Sequence, residues 1–389
     1  MPGVKSLLSY AKDEPGPLRI INILFCLIVK EFFYIGNHTN NVISDIEMIK
    51  ISKRYLVLIS LLLTSWLYGN CQNVDTLDSL LNVLGVKNEA SEKMDILLAI
   101  SDIYAEDDPD KAMQYASAAL IEADNSNSPA ARAEIFQKIG SIYEDKENLD
   151  LAIENYQISL ELYRTLDIKL EIGHLFYDLA DVYKKKGLYK LSLENCLEGL
   201  EIFEKLNDIP GLSDIYNCMG SLYKYQGENN RSLDYYNKSL NLNINSVDSH
   251  GISMSYNNIG VVYAILGNND LALDYYFKSI QSSPEKGEDR NNATTLGNIA
   301  SIMLNLGKYD EAYRYLNESL EMNKILGYRR GIANQYRTLG RYYDLTGDTD
   351  LAIKYLTMAL DIHTELGRLE SEKDIAEQLA ILYSREGMY

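Results

Sequence analysis

Histidine is scarce in this chain of 389 residues: there are four, His38, His174, His250 and His363, scattered with no pairing on one helix face. That distribution offers no metal site. No glycine-rich run has the form of a phosphate-cradling loop, and no nucleophile stands with a matching base and orienter. The chain is therefore read as non-catalytic, with no cofactor. Basic residues are outnumbered 37 to 56, for a formal net charge of −19. Nucleic acid, whose binding relies on basic phosphate contacts, is excluded as a partner. Long apolar runs are also lacking. The run from Tyr55 to Tyr68 falls short of the roughly 20 residues that a membrane-spanning helix needs.

What is present is a repeat. A small residue recurs at Gly140, Ala180, Gly220, Gly260, Ala300, Gly340 and Ala380, always forty positions on. Three residues later comes a large one: Tyr143, Tyr183, Tyr223, Tyr263, Met303, Tyr343 and Tyr383. Seven residues later comes a glycine, at Gly187, Gly227, Gly267, Gly307, Gly347 and Gly387, with Glu147 the one departure. Twelve residues later comes a second small residue, Ala152, Ser192, Ser232, Ala272, Ala312 or Ala352. A weaker copy precedes these, with Ser101 and Tyr104 in the first two slots and Ala112 one residue early.

Within one copy, apolar residues from Ile252 to Leu266 and from Leu271 to Ile280 recur at three- and four-residue steps, which predicts two amphipathic helices. Gly267 falls where a helix C-terminus wants a left-handed residue. Asn268 and Asn269 suit the turn, and Asp270 lies near the positive end of the next helix dipole. Gly260 and Ala272 would let the two helices approach closely, with Tyr263 and Tyr276 filling the space beside them. Such a hairpin buries its apolar faces only by stacking on its neighbours.

The succession of small residue, tyrosine, turn glycine, alanine and aromatic resembles the tetratricopeptide repeat. Its usual proline is absent, and the period is forty instead of thirty-four. That is similar to the longer variety in the maltose-regulon activator, bacterial sensor proteins and kinesin light chains. The resemblance implies an all-α fold, a right-handed superhelical solenoid over 91–389. Its repeats would lie near 94–132, 133–172, 173–212, 213–252, 253–292, 293–332 and 333–372, with a partial copy at 373–389. It also implies that the first helix of each repeat lines a concave groove for a peptide or protein. Carried over by position, the groove residues are Tyr177, Asp178, Asp181, Asn217, Asn257, Asn258, Asn298, Arg337 and Arg341. A side-chain amide both donates and accepts, so a row of asparagines suits the backbone of an extended ligand. The arginines suit carboxylates.

Residues 1–90 lack the repeat. Lys50, Lys53 and Arg54 precede the apolar run, and Gly69, Asn70 and Cys71 follow it, as in a secretory signal peptide with cleavage before Gln72. The segment 48–71 is thus read as a signal peptide or signal anchor, and 1–47 as a start-site misassignment, with translation starting at Met48, or else a disordered leader. Acylation at Cys71 is disfavoured by Asn70. Leu77, Leu80, Leu81 and Leu84 give 72–90 the spacing of a lead-in, capping helix. The chain would then be exported, periplasmic or membrane-anchored, and cytoplasmic only if the segment is unused. Any membrane contact would run through this segment or a C-terminal extension. Cys196 and Cys218 fall on successive helices and are read as free packing residues, with a disulfide as the alternative. Two functions follow. One is an exported scaffold that binds a peptide or protein. The other is the sensory N-terminal segment of a larger membrane signalling protein, with a histidine kinase, cyclase or DNA-binding output, for which self-association is a further use.

Overall fold

The structure is a computed structural model that describes residues 77, 80, 81, 84, 90–105, 108–283 and 290–385. The expected leader 1–47, the signal segment 48–71 and Gly387 lie outside the described residues. Of the expected lead-in helix, Leu77, Leu80, Leu81 and Leu84 are described, all helical, and Leu84 packs on the first core cluster.

From Ala90 onward the chain forms helical hairpins. They are α1 (Ala90–Tyr104) with α2 (Pro109–Asn125), α3 (Pro129–Asp145) with α4 (Leu149–Leu166), α5 (Lys169–Lys185) with α6 (Tyr189–Leu206), and α7 (Ile209–Tyr225) with α8 (Asn229–Ser246). Then come α9 (Ser249–Ile265) with α10 (Asn269–Ser282), α11 (Arg290–Asn305) with α12 (Tyr309–Ile325), α13 (Arg329–Thr346) with α14 (Thr349–Glu365), and the single α15 (Leu369–Arg385). This is the all-α solenoid that the periodicity predicts.

Local chemistry explains where each helix begins and ends. At the hairpin turns Gly187, Gly227, Gly267, Gly307 and Gly347 adopt φ between 71° and 86°, the left-handed region where glycine carries no side-chain penalty. Several helices open on side-chain caps, whereas those that begin after Ile168, Leu188, Glu228, Lys308 and Tyr328 do not. Asn268 accepts from the Leu271 amide at 3.3 Å and Asp348 from the Leu351 amide at 3.1 Å. Asp270 therefore sits inside the first turn of α10, two residues beyond the cap itself.

The small slots do what the spacing suggests. A Cβ on Gly220 would stand 2.7 Å from the Tyr236 ring, and one on Gly260 2.7 Å from the Tyr276 ring. Tyr156, Tyr236 and Tyr276 are almost wholly buried against these glycines. Tyr263 differs from expectation. It is half-buried and stacks on Tyr275 with ring centroids 5.3 Å apart, as Tyr223 does on Tyr235 and Tyr343 on Tyr355. Its phenol hydroxyl favours a wetted margin over the deep core. Cys196 and Cys218 are free and buried, with sulfurs 3.8 Å apart.

Each first helix packs most extensively on its own hairpin partner and then on the second helix of the preceding hairpin. First helices also touch one another directly: α5 with α7, α7 with α9, α9 with α11 and α11 with α13. Among the described residues no two successive second helices come into comparable contact. The first helices therefore occupy the inside of the curve, and their outward faces form the concave wall. Among the described residues no helix is long and apolar enough to cross a membrane, and no cluster suits a metal ion.

Candidate functional site

The concave wall carries polar side chains that link one first helix to the next. Gln137 donates to Asp178 at 2.7 Å, Asn258 to Asn217 at 2.7 Å, and Asn298 to Asn257 at 3.0 Å. Each pair is one repeat plus one residue apart. The sequence-expected asparagines are thus brought together, and they use part of their hydrogen-bonding capacity on each other. Thr295 adds a bond to Asn257 at 3.2 Å. Arg341 lies farther along and donates to Asn305 at 2.7 Å. Arg337 is half-buried on the same helix, α13.

At the N-terminal end the wall opens into a cleft of about 550 Å³, a volume in the range of ligand pockets. It spans three repeats: Leu98 and Asp102 from α1, Glu134, Gln137, Lys138, Ser141, Glu144 and Asp145 from α3, and Tyr177, Asp178 and Asp181 from α5, with Tyr156 at its floor. Tyr177, Asp178 and Asp181 are therefore assembled into one cavity, whereas Asn217, Asn257, Asn258, Asn298, Arg337 and Arg341 lie outside it. Sequence reasoning missed Asp102, Glu134, Glu144 and Asp145, whose only signal was position on a first helix.

Six carboxylates line this cleft with Lys138 as the one lysine among the lining residues, and four of the six, Asp102, Glu144, Asp145 and Asp181, have a cationic partner. Glu144 accepts from the Tyr156 hydroxyl at 2.7 Å and from Lys185, which also meets Asp181 at 3.0 Å. Lys184 pairs with Asp181, and Lys138 with Asp102. Burial pushes the Glu144 carboxyl up, against the pull of Lys185. Burial also pushes the Asp178 carboxyl up to about 7; the Gln137 hydrogen bond opposes this, and the charges of Glu144 and Asp181 add to it. Asp181 goes the other way: burial would raise it, but Lys184 and Lys185 hold it down to about 2.

The Asp178 shift has a measurable consequence. Its folded value lies above its usual 3.8, so the native state keeps a proton that the unfolded chain has released. Folding takes up that proton between about pH 4 and 7, and stability falls as pH rises through this window. Asp178→Asn keeps an oxygen for Gln137 and removes the titration. Thermal melts are expected to show the variant more stable than the parent at pH 7.5 and equal to it near pH 4. A pH-independent difference would contradict this.

Tetratricopeptide-repeat models match residues 211–284 and 291–365, and another matches residues 133–165. No curated protein matches the chain. Among solved structures, a Rap protein complexed with competence and sporulation factor is similar at 15% identity and a TM-score of 0.54, over 81% of this chain and 98% of that one. NprR in complex with its cognate peptide NprX is similar at 14% identity and a TM-score of 0.51, over 87% and 99%. A signal-transduction ATPase from Pyrococcus horikoshii with a tetratricopeptide-repeat sensor is similar at 13% identity and a TM-score of 0.51, over 99% and 64%. At these identities the likeness speaks for the fold alone.

Proposed function

Taking the chain as what its repeats make it, a tetratricopeptide-repeat protein, we propose that it is a non-catalytic scaffold that holds a peptide or protein segment along its concave wall. A basic side chain of that segment occupies the acidic cleft. The observation that carries this reading is the cleft itself, where six carboxylates from three consecutive first helices converge on one cavity. A guanidinium or ammonium group entering it would favour the ionised form of Asp178 and Glu144, which burial alone disfavours. The amide pairs farther along, Asn217 with Asn258 and Asn257 with Asn298, offer donors and acceptors to a peptide backbone, with Arg337 and Arg341 beyond them. That peptides or protein factors occupy the Rap and NprR structures named above is consistent with this use of the fold.

Panning a random peptide display library against the full chain tests the proposal. Enriched peptides are expected to carry arginine or lysine, and to be lost when the exposed cleft residues Asp102 and Glu134 are changed to Asn and Gln. Enrichment without basic residues, or full retention by that variant, would reject it. Export belongs to the same proposal and rests on the 48–71 segment. N-terminal sequencing of the mature protein is expected to begin near Gln72.

A further inference from the structure

Glu147 is the single exception to the turn glycine, yet it adopts the same left-handed conformation, at φ 58°. A side chain in that region costs about 1–2 kcal/mol relative to glycine, and Glu147 makes contacts there that a glycine could not. The carboxylate does not face solvent. It accepts from the Glu370 amide at 2.8 Å, from the Ser371 amide at 3.4 Å and from the Ser371 hydroxyl at 3.2 Å, and it pairs with Arg368 at 2.8 Å. Glu147 and Arg368 are 16% and 18% exposed. The turn between α3 and α4 thus caps the N-terminus of α15, more than two hundred residues along the chain.

The neighbours of Glu147 make the same connection. Asp145 pairs with Arg330 at 3.3 Å, and its carbonyl accepts from Arg368 at 3.1 Å. Leu366 is 3% exposed, whereas Leu206, four repeats earlier at the equivalent position, is 45% exposed. Leu366 and Tyr328 close over Ala105, Pro109 and Asp145. Repeat two therefore meets the last repeats edge to edge, and the array closes on itself after one superhelical turn.

We propose that Glu147 is the latch of this closure and that its release lets the array unwind and open the concave groove. Adjacent repeats share whole helix faces, but this seam joins turns through ion pairs and hydrogen bonds around one small apolar patch of Leu366, Ala105 and Pro109, so it is where the ring parts first. A solenoid is otherwise stabilised by nearest-neighbour contacts, and the latch is a contact between non-neighbours that ties one end of the array to the other. Asp145 belongs to both the seam and the acidic cleft, which places the latch at the mouth of the groove.

The test needs no ligand and so stands apart from the binding proposal. Glu147→Gly in the full chain installs the residue that five described copies use in this turn, so the hairpin keeps its conformation. The amides of Glu370 and Ser371 have no acceptor within their own helix. Their hydrogen exchange is expected to accelerate at least about tenfold, the scale of a lost hydrogen bond to a charged group. The radius of gyration from solution X-ray scattering is expected to rise while helix content by circular dichroism stays constant. Arg368→Gln, which breaks the pair from the other side, should expand the particle in the same way. Unchanged exchange in Glu147→Gly would overturn the latch. Faster exchange at an unchanged radius would reduce Glu147 to a helix cap and overturn the opening.

Discussion

Gly260→Ala is expected to destabilise the array by about 2 kcal/mol, although alanine is the better helix former by up to about 1 kcal/mol. The added Cβ would stand 2.7 Å from Cδ1 and Cε1 of Tyr276 and 3.2 Å from the Ala272 carbonyl. Tyr276 is 2% exposed, so its ring has nowhere to go. The chain itself contains the remedy. Sixteen residues after the small slot, Gly140, Gly220 and Gly260 face Tyr156, Tyr236 and Tyr276, whereas Ala180 and Ala300 face Cys196 and Leu316. Adding Tyr276→Leu to Gly260→Ala recreates the Ala300 and Leu316 pair. In urea unfolding the double variant is expected to be more stable than the sum of the single changes by at least about 1 kcal/mol. Strict additivity would mean that the glycine is not there for the ring.

Asp181→Asn is expected to cost more, about 3–5 kcal/mol, because it strands a buried charge. Lys184 is 6% exposed and has Asp181 as its ion-pair partner. Lys184→Met alone leaves Asp181 with Lys185 and should cost less, and the double variant Asp181→Asn with Lys184→Met should recover most of the loss. The acid dependence follows from the same pair. The two lysines hold the Asp181 carboxyl at about 2, below its usual 3.8. Its stabilisation is complete above about pH 4 and is lost as the pH falls toward 2. Melting curves from pH 2 to 6 should show this loss in the parent and not in the double variant. A parent and double variant that lose stability in parallel would contradict it.

The forty-residue repeat was legible because it is written in residue size. A glycine or alanine every forty positions, with a glycine seven later, marks close helix contact and a left-handed turn, and both appear. The second turn of each repeat was not legible. Its left-handed positions are Asn127, Asp167, Asn207, Val247, Gly327 and Gly367, too varied to announce a common conformation. The concave face could be assigned, but the pairing of Asn258 with Asn217 depends on the stagger between neighbouring repeats, which periodicity alone does not fix. The acidic cleft combines three helices whose carboxylates, apart from Asp102 and Asp181 just after the small slot, follow no common slot. Glu147 stood out as an exception, but its partners Arg368, Glu370 and Ser371 come near only after the array completes a turn, a distance that no local pattern spans.

The central claim is that the acidic cleft receives a positive charge from a peptide. The most direct measurement is an equilibrium titration of the full chain with the most enriched basic peptide, paired with the same peptide carrying citrulline at the arginine position. Citrulline keeps the shape and removes the charge. The account predicts at least about a tenfold weaker binding for citrulline, the scale of a charge-assisted hydrogen bond. Equal affinities would show that the cleft does not read charge and would contradict the account.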